Sequence, residues 1–313
     1  MSIKGLERML FAATKVSDLV GIINDLKDED AIKWSPVGGN DNNLAIIGIG
    51  SDPAAGLIER ITNALDAIID RMWYGQKCPT NISSPRIATE KWFDIKDGRL
   101  TGYKTNDLKK LDKVAELVKI SLRDSDRPDK PTLDIRDLGT GIASEEFADT
   151  ILSLNKNRKL KKLFLAGAFG QGGSSALAHS QYTLICSRKA SLDSKSYPFA
   201  FTIVRFNPGD AEVDKHGVYE FMVDSKTGCP ITLDVSEEDF PHGTLVRHLT
   251  MELGKYAAVM TAPTGSLWYL VHNYLFDPIL PFKITDERTG KNTASRMVTG
   301  NHRLLTEGQF TEY

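Results

Sequence analysis

The longest regular pattern of apolar residues in the chain covers residues 57 to 72, with the sequence LIERITNALDAIIDRM. On a helix, at about 100° per residue, one stripe is apolar: Ile58, Ile61, Leu65, Ile68 and Met72. The opposite side has only carboxylates and an amide: Glu59, Asn63, Asp66 and Asp70. A solvated face usually mixes Lys with Glu at i, i+4 spacing. This face therefore suits a hydrated metal ion or an activated water, although plain acidic helix faces also look like this.

The pattern before this helix predicts a small helical segment. Two short helices are expected within residues 1 to 33, the second over 17 to 27, followed by a turn-rich loop over 34 to 43. The apolar run at 44 to 49 predicts a short strand. Asp52 and Pro53 then provide an N-cap and a proline at the first helical position, so the long helix begins there.

The rest of the chain predicts mostly strands. Residues 73 to 131 are rich in Gly, Pro, Asn and Ser, with one amphipathic helix near 106 to 122, and we interpret them as an insertion. Apolar runs and alternation predict strands at 132–136, 182–187, 199–206, 217–223, 244–249 and 282–285. Helices are predicted at 145–154 and 266–276, and the polar tail from 290 gives little signal.

Composition narrows the class of protein. With 313 residues, 41% apolar and 26% charged, the chain has the composition of a globular protein of one large domain or two modest ones. A net charge of -2 gives no overall attraction to nucleic acid or membranes. The isolated cysteines Cys78, Cys186 and Cys229 favour a reducing compartment over disulfides or structural zinc. Without a membrane-spanning run or a signal-peptide pattern, we expect a cytoplasmic protein with no membrane partner.

Two glycine motifs follow the acidic helix. The strand at 132–136 leads into D-x-G-x-G at 137 to 141, which puts a carboxylate at a strand end where the backbone can approach a ligand. Residues 163 to 176, LFLAGAFGQGGSSA, form a glycine-rich loop that leads into a predicted helix, an arrangement that offers backbone N–H groups to phosphates. The spacing is neither that of a Walker A loop nor that of a Rossmann fingerprint.

Four motifs in this order carry a family resemblance: E-x-x-x-N-x-x-D-A at 59–67, D-x-G-x-G at 137–141, G-x-F-G-x-G at 167–172 and Gly243-Thr244 before a strand. Together they resemble the ATP-binding domain of the GHKL superfamily, which includes DNA gyrase B, Hsp90, histidine kinases and MutL. The glycine-rich loop is most similar to the Hsp90 lid motif. The resemblance implies a two-layer α/β sandwich of the Bergerat type, with a mixed sheet and helices on one face.

The resemblance also implies a domain plan and a set of partners. Residues 1–43 would form an N-terminal helical arm, residues 44–290 the ATP-binding domain with its insertion at 73–131, and residues 291–313 a tail. ATP and Mg²⁺ would be the cofactors. Relatives of the hydrolytic branch dimerise through N-terminal segments when the lid closes over ATP, so an ATP-dependent homodimer is expected. The sequence does not identify the client, which is DNA, another protein or an effector subunit.

The implied roles of individual residues follow from the motif positions. Glu59 matches the general base, Asn63 the magnesium ligand, and Asp137 the acceptor for the adenine amine, while Asp66 matches a supporting residue. The remaining nucleotide-binding positions lie in the glycine motifs, the lid and the last strand: Gly139, Gly141, Ile142, Gly167, Phe169, Gly170, Gln171, Gly172, Gly173, Ser174 and Thr244. In relatives a Lys or Arg from the following domain contacts the γ-phosphate. Here only a short tail follows, so the chain is a fragment or that cation comes from elsewhere.

Other functions stay open at this point. An ATP-gated binding or sensing module with little turnover would need the same pocket. A histidine kinase is disfavoured because no phosphoacceptor helix precedes the domain. An acyl hydrolase would use the elbow-like segment 172–176, GGSSA, but this function leaves Glu59, Asn63 and Asp137 unexplained, and no acid–His pair follows the segment. The six histidines show no zinc-ligand spacing.

Overall fold

The computed structural model describes residues 5–48, 52–154, 162–167, 172–209, 217–257, 264–291 and 295–308. Within these ranges the fold is mixed α/β, with ten strands in one sheet. The strands are β1 (Ile32–Pro36), β2 (Val118–Arg123), β3 (Thr132–Asp137), β4 (Tyr182–Arg188), β5 (Phe199–Asn207), β6 (Val218–Asp224), β7 (Ile231–Leu233), β8 (Gly243–Leu249), β9 (Phe282–Asp286) and β10 (Arg296–Val298). The helices are α1 (Leu6–Ala12), α2 (Val16–Asp28), α3 (Leu44–Ile47), α4 (Pro53–Gly75), α5 (Pro85–Phe93), α6 (Asp112–Ala115), α7 (Gly172–Ser175), α8 (Leu267–Tyr274) and α9 (Asn301–Thr306).

The sheet is mixed, as predicted. Its strand order is β1-β6-β5-β4-β8-β3-β2-β9-β10, and β7 pairs with β5. The β2–β9 pair is parallel and the other pairs are antiparallel. This is not a doubly wound parallel sheet, in which ligands bind beyond the carboxyl ends of the strands. The strands β3 and β8 are neighbours near the middle of the sheet, so their ends are available to form a central site.

The long helix α4 forms the main layer over this centre. Its side chains Ile61, Leu65 and Ile68 are almost fully buried and pack against residues of β2 and β3, so the centre of the predicted apolar stripe is confirmed. Ile58 and Met72, at the ends of that stripe, are half-buried. The helix begins as predicted, because Asp52 accepts a hydrogen bond from the N–H of Ala54 at 2.9 Å. In the described part of the chain, α4 and the shorter helices lack the combination of length and apolar character that crossing a membrane requires.

The prediction that helices cover one face of the sheet is wrong. Neighbouring residues of a strand point to opposite faces. In β4, Leu184 packs in a cluster with α1 and α2, whereas Ile185 packs in a different cluster with Ile47 and Phe147. The helices α1 and α2 therefore cover the face opposite α4. Their apolar stripes are visible in the sequence, but an amphipathic pattern does not indicate which face of a sheet it will cover.

The N-terminal helices are integrated into the chain's own core. Leu6, Leu10 and Leu19 are buried in one cluster with Phe199 and Phe201 of β5. The strand β1, which follows α2, pairs with β6 at the edge of the sheet. The apolar faces of these helices are thus largely used within the chain, and ATP-dependent dimerisation through the N-terminal segment stays a prediction.

A buried ion pair holds the N-terminal segment to the sheet centre. The guanidinium of Arg247 donates to both carboxylate oxygens of Asp134, at 2.7 and 2.8 Å. It also donates to the backbone carbonyls of Phe11, at 3.0 Å, and Ala13, at 2.6 Å. Both charged side chains are nearly inaccessible, at 3% and 6% exposed. A third carbonyl, that of Leu10, accepts from the same guanidinium at 3.3 Å. Because one guanidinium satisfies a buried carboxylate and three carbonyls at a chain turn, this contact fixes where α1 ends.

Residues 44 to 49, predicted as a strand, contain instead the one-turn helix α3, so this prediction is wrong. A short apolar run is compatible with either element, and its neighbours decide between them. The sheet edge is already occupied by β1, and the buried side chain of Asn43 ties this segment to Tyr219 of β6 through hydrogen bonds of 2.7 and 2.8 Å. The run therefore lies across the sheet face and buries Ile47.

The predictions of helices at 106–122 and 145–154 are also wrong. The first region contains a 3₁₀ helix (Thr105–Leu111), the short α6 and then β2, whose residues pair with both β3 and β9. The second region has only one 3₁₀ turn (Ser144–Glu146) and further turns. The alternating sequence VKISLR favours a strand. The helical spacing of the leucines before it led to the prediction of a helix instead. The segment interpreted as an insertion thus contributes a strand to the central sheet.

We predict that Arg247→Met lowers the free energy of unfolding by about 3 kcal/mol, toward the lower end of the range for a broken buried ion pair, because it leaves the carbonyls at the end of α1 without their donor and the buried Asp134 carboxylate with Arg123 as its remaining cation. The matched control is Arg127→Met, which removes an exposed pair with Asp129 and should cost less than about 1 kcal/mol. Urea unfolding measures both variants. Equal, small losses would show that the ion pair does not hold the N-terminal segment.

Candidate functional site

A cavity of about 520 Å³ lies between α4, the strands β3 and β8, and the turns after β3. Cavities of a few hundred to about 1,000 Å³ are typical of small-molecule sites. The α4 face contributes polar side chains at helical spacing: Arg60, Asn63, Asp66 and Asp70. The sheet contributes Asp137 and Thr244, which lie at the adjacent ends of β3 and β8.

Two glycines allow the turn after β3 to approach its neighbours closely. A Cβ on Gly139 would lie 2.5 Å from the Cβ of Ala67 in α4, and one on Gly141 would lie 1.9 Å from the carbonyl oxygen of Arg188. Gly141 also has a φ of +61°, which side chains disfavour. The N–H of Thr140 donates to the carbonyl of Ala67 at 3.2 Å. The D-x-G-x-G motif therefore joins the end of β3 to the middle of α4.

Asp137 is a buried carboxylate at this junction, only 5% exposed. Its Oδ1 accepts hydrogen bonds from the N–H of Gly139 at 2.8 Å and from that of Thr244 at 3.3 Å. Among the described residues no donor contacts Oδ2, so that oxygen can accept from a ligand. Burial raises the pKa of Asp137 to about 6, and the nearby Arg136 opposes part of this rise.

A hydroxyl that the sequence analysis missed organises the same end of the cavity. The Ser187 hydroxyl accepts from the N–H of Ile142 at 2.9 Å and lies 3.0 Å from the Thr244 hydroxyl. It also donates to the carbonyl of Gly243 at 3.0 Å. Ser187 therefore holds Thr244 and Ile142 in register. No sequence motif marks Ser187, because its role depends on the pairing of β4 with β8.

The acidic face of α4 is not an isolated carboxylate surface. The Asp66 carboxylate accepts from the N–H groups of Ala166, at 2.8 Å, and Gly167, at 3.0 Å. Asp70 forms an ion pair with Lys162, whose Nζ lies 2.6 Å from the carboxylate. These contacts fasten residues 162 to 167, which lead into the predicted lid, along the helix. In the residues the structure describes, no group of three or more His, Cys, Asp or Glu side chains is arranged to hold a metal.

The structure brings together many of the predicted site residues but not all. Those that line the cavity are Asn63, Asp66, Asp137, Gly141, Ile142, Ser174 and Thr244. Glu59 is half-buried one turn before Asn63 and is not among the lining residues. Gly139 and Gly167 act through their backbone contacts, and Gly172 and Gly173 begin α7. Phe169, Gly170 and Gln171 lie outside the described residues.

Arg60 is a second residue that the sequence analysis missed. It is 5% exposed and lines the cavity. Its Nε and Nη2 atoms are buried without a hydrogen-bond partner among the described residues. Burial lowers the pKa of Arg60 to about 10, although the neighbouring Glu59 acts in the opposite direction, so the guanidinium remains charged at neutral pH. The amphipathic pattern left Arg60 between the two faces of α4 and assigned it no role.

No protein-family model matches the sequence, and no curated protein matches it either. Function is therefore inferred from the cavity and its side chains.

We predict a characteristic pH dependence of stability from Asp137. Its native-state pKa of about 6 exceeds its ordinary value of 3.8, so the contribution of Asp137 to stability is largest below pH 3.8 and is lost as the pH rises through 6. The free energy of unfolding of the wild type relative to Asp137→Asn should therefore fall, by an amount on the order of 3 kcal/mol, between pH 3.5 and 7.

Urea unfolding at several pH values measures this difference. The control is Asp129→Asn, since a hydrogen bond from Arg127 lowers the pKa of the exposed Asp129 and gives a dependence of opposite sign. A difference between wild type and Asp137→Asn that does not vary with pH would contradict the burial of an ionisable carboxylate at this position.

Proposed function

We propose that the chain is a GHKL-type protein with a Bergerat-like site that binds ATP and hydrolyses it with Mg²⁺. The observation that carries the proposal is that Asp137 and Asn63, which come from separate motifs, line one cavity. The buried carboxylate of Asp137 can recognise a nucleotide base. The amide of Asn63, one helical turn before Ala67 in α4, can contact the phosphates of the same nucleotide. ATP-driven lid closure and dimerisation, coupled to a client protein or DNA, are part of the same proposal.

Asp137 would define the adenine end of the cavity. Adenine presents an exocyclic amine, which is a donor, and Oδ2 of Asp137 is an acceptor without a described partner. The two backbone N–H groups on Oδ1 fix the orientation of the carboxylate. Gly141 lets the backbone approach the ring closely, and Ile142 and Val246 provide apolar contact beside it. A base with a carbonyl at this position, such as guanine, would place one hydrogen-bond acceptor against another, Oδ2 of Asp137, and would bind poorly.

The polar face of α4 would bind the phosphates and Mg²⁺. The side-chain oxygen of Asn63 would be a ligand of Mg²⁺. The bound ion would neutralise charge on the phosphates. Glu59 lies one helical turn before Asn63, and its carboxylate would accept the proton of the attacking water as a general base. Asp66 positions residues 166 and 167 at the start of the lid, whose remaining glycines would donate N–H groups to phosphate oxygens.

One observation favours a second candidate, an ATP-gated binding or sensing module with little turnover. Glu59 is not among the residues that line the cavity, so a general base would have to reach the water from a neighbouring position. Both candidates bind ATP at the same residues. The rate of phosphate release distinguishes them.

Adenine recognition gives a prediction for Asp137→Asn. The substitution replaces an acceptor with a donor amide, and losing a charge-assisted hydrogen bond costs roughly 1.5–3 kcal/mol, so the affinity for adenosine should fall at least about tenfold. For the wild type, affinity should also fall by about tenfold from pH 7.5 to pH 5, because protonation with a pKa of about 6 removes the charged acceptor. Calorimetry with adenosine avoids titration of phosphate groups. Unchanged affinity in the variant would remove Asp137 from the site.

Hydrolysis gives a prediction that separates Glu59 from Asn63. Glu59→Ala should keep nucleotide affinity nearly intact while lowering ATP hydrolysis by about 10²–10⁴, the usual contribution of a positioned base. Asn63→Ala should lose magnesium-dependent binding as well as turnover. Calorimetry and phosphate release measure the pair. If Glu59→Ala hydrolyses ATP at the parent rate and Asn63→Ala binds Mg-ATP normally, the polar face of α4 is only a helix surface.

A further inference from the structure

Arg60 presents an unsatisfied charge at the cavity. A buried guanidinium has five N–H donors, and burying them without acceptors is costly. Here Nε and Nη2 have no acceptor among the described residues, while the side chain lines the cavity. Buried polar atoms without partners are rare in native proteins and indicate a missing ligand, ion or water. Since guanidinium is a cation with a planar set of donors, the ligand group that it suits is an anion such as phosphate.

The other cavity cations of the described chain are already paired. Lys162 is 2.6 Å from the carboxylate of Asp70, and Lys189 is 2.6 Å from that of Glu146. His248 lies near Arg60, and burial, together with the Arg60 charge, lowers the pKa of this imidazole to about 3, so it is neutral. Within the described lining, Arg60 is therefore the cation that lacks an ion-pair partner.

The position of Arg60 along α4 matches the phosphate end of a nucleotide. Ala67 contacts the turn that holds Asp137, through Gly139 and Thr140. Asn63 lies one turn toward the helix N-terminus, and Arg60 almost another turn beyond it. At about 1.5 Å per residue, Arg60 is roughly 10 Å along the axis from Ala67. An extended nucleotide whose base contacts Asp137 would place its outer phosphates at this level.

We propose that Arg60 binds the outer phosphates of the nucleotide, and that α4 itself thereby supplies a phosphate-binding cation within the chain. The inference rests on the proposed function, since it assumes that the base lies against Asp137. It makes Arg60 a specificity-determining residue that distinguishes ATP from adenosine. A phosphate bound in the cavity would supply the counter-charge that the guanidinium lacks among the described residues, and because Nε and Nη2 are themselves inaccessible, the side chain would turn toward the phosphate to donate from them.

The test compares nucleotides that differ only in phosphate number. Arg60→Met removes the charge and keeps an unbranched side chain of similar length. Calorimetry with adenosine, ADP and ATP in the presence of Mg²⁺ should show ATP affinity reduced at least tenfold and adenosine affinity changed less than about twofold. The control variant is Arg99→Met, since Arg99 is 51% exposed and paired with Asp277, and it should bind all three ligands as the wild type does.

A thermal melt without nucleotide separates binding from folding. Arg60→Met should melt at or above the wild-type temperature, because it removes an unpaired buried charge, whereas a structural arginine would leave the variant less stable. If Arg60→Met does not fold, Arg60→Gln makes the same comparison with a neutral polar side chain.

The outcomes are distinguishable. ATP affinity equal to that of the wild type in the uncharged variant overturns the role of Arg60 and leaves the proposed function standing. Equal losses for adenosine and ATP also overturn it, because they show that Arg60 only shapes the cavity. A wild type that binds neither adenosine nor ATP overturns the proposed function itself.

Discussion

The close contact between the end of β3 and the middle of α4 is the constraint on which the site depends. Gly139 lies against Ala67 at a distance that no other residue allows without displacement. This contact sets the separation of helix and sheet, and so the depth of the cavity between them. It also turns the chain so that the N–H of Gly139 reaches back to Asp137. If the turn moved outward, the carboxylate would lose that donor and the cavity would lose the floor formed by residues 137 to 142.

The charges of the cavity are arranged with their unsatisfied groups at opposite ends. The ion pairs of Lys162 with Asp70 and of Lys189 with Glu146 cancel charge along the cavity sides. Among the described residues of the lining, Asp137 offers a carboxylate oxygen that no donor contacts, and Arg60 is a cation without an ion-pair partner. A ligand complementary to this arrangement has a donor at one end and negative charge at the other. A nucleotide with an amino-substituted base has that polarity, whereas an all-apolar or uniformly anionic ligand would leave one end uncompensated.

Sequence patterns predicted the elements whose signals are local. The helix α4 has a cap, a proline at its first position and a long apolar stripe, and β4, β5, β6 and β8 have apolar runs of strand length. The errors fell where distant neighbours decide. Residues 44 to 47 form a helix because β1 already occupies the sheet edge, and 118 to 123 form a strand because β3 and β9 flank them. Likewise, Ser187 lies outside the motifs and Arg60 lies at a variable position of the first one, since their surroundings are created only by strand pairing and helix docking.

The hydrogen bond between Thr244 and Asp137 joins residues 107 positions apart, and this has a consequence for biosynthesis. During translation Asp137 leaves the ribosome well before β8 has been made. Until then, the carboxylate lacks one of its two backbone donors, and the edges of β3 and β4 that β8 will pair with are exposed. Pairings over such separations slow folding and leave strand edges open to wrong partners. The nascent chain therefore passes through a stage at which its central sheet is split in two. At that stage the unpaired edges of β3 and β4 are the surfaces that a chaperone would cover.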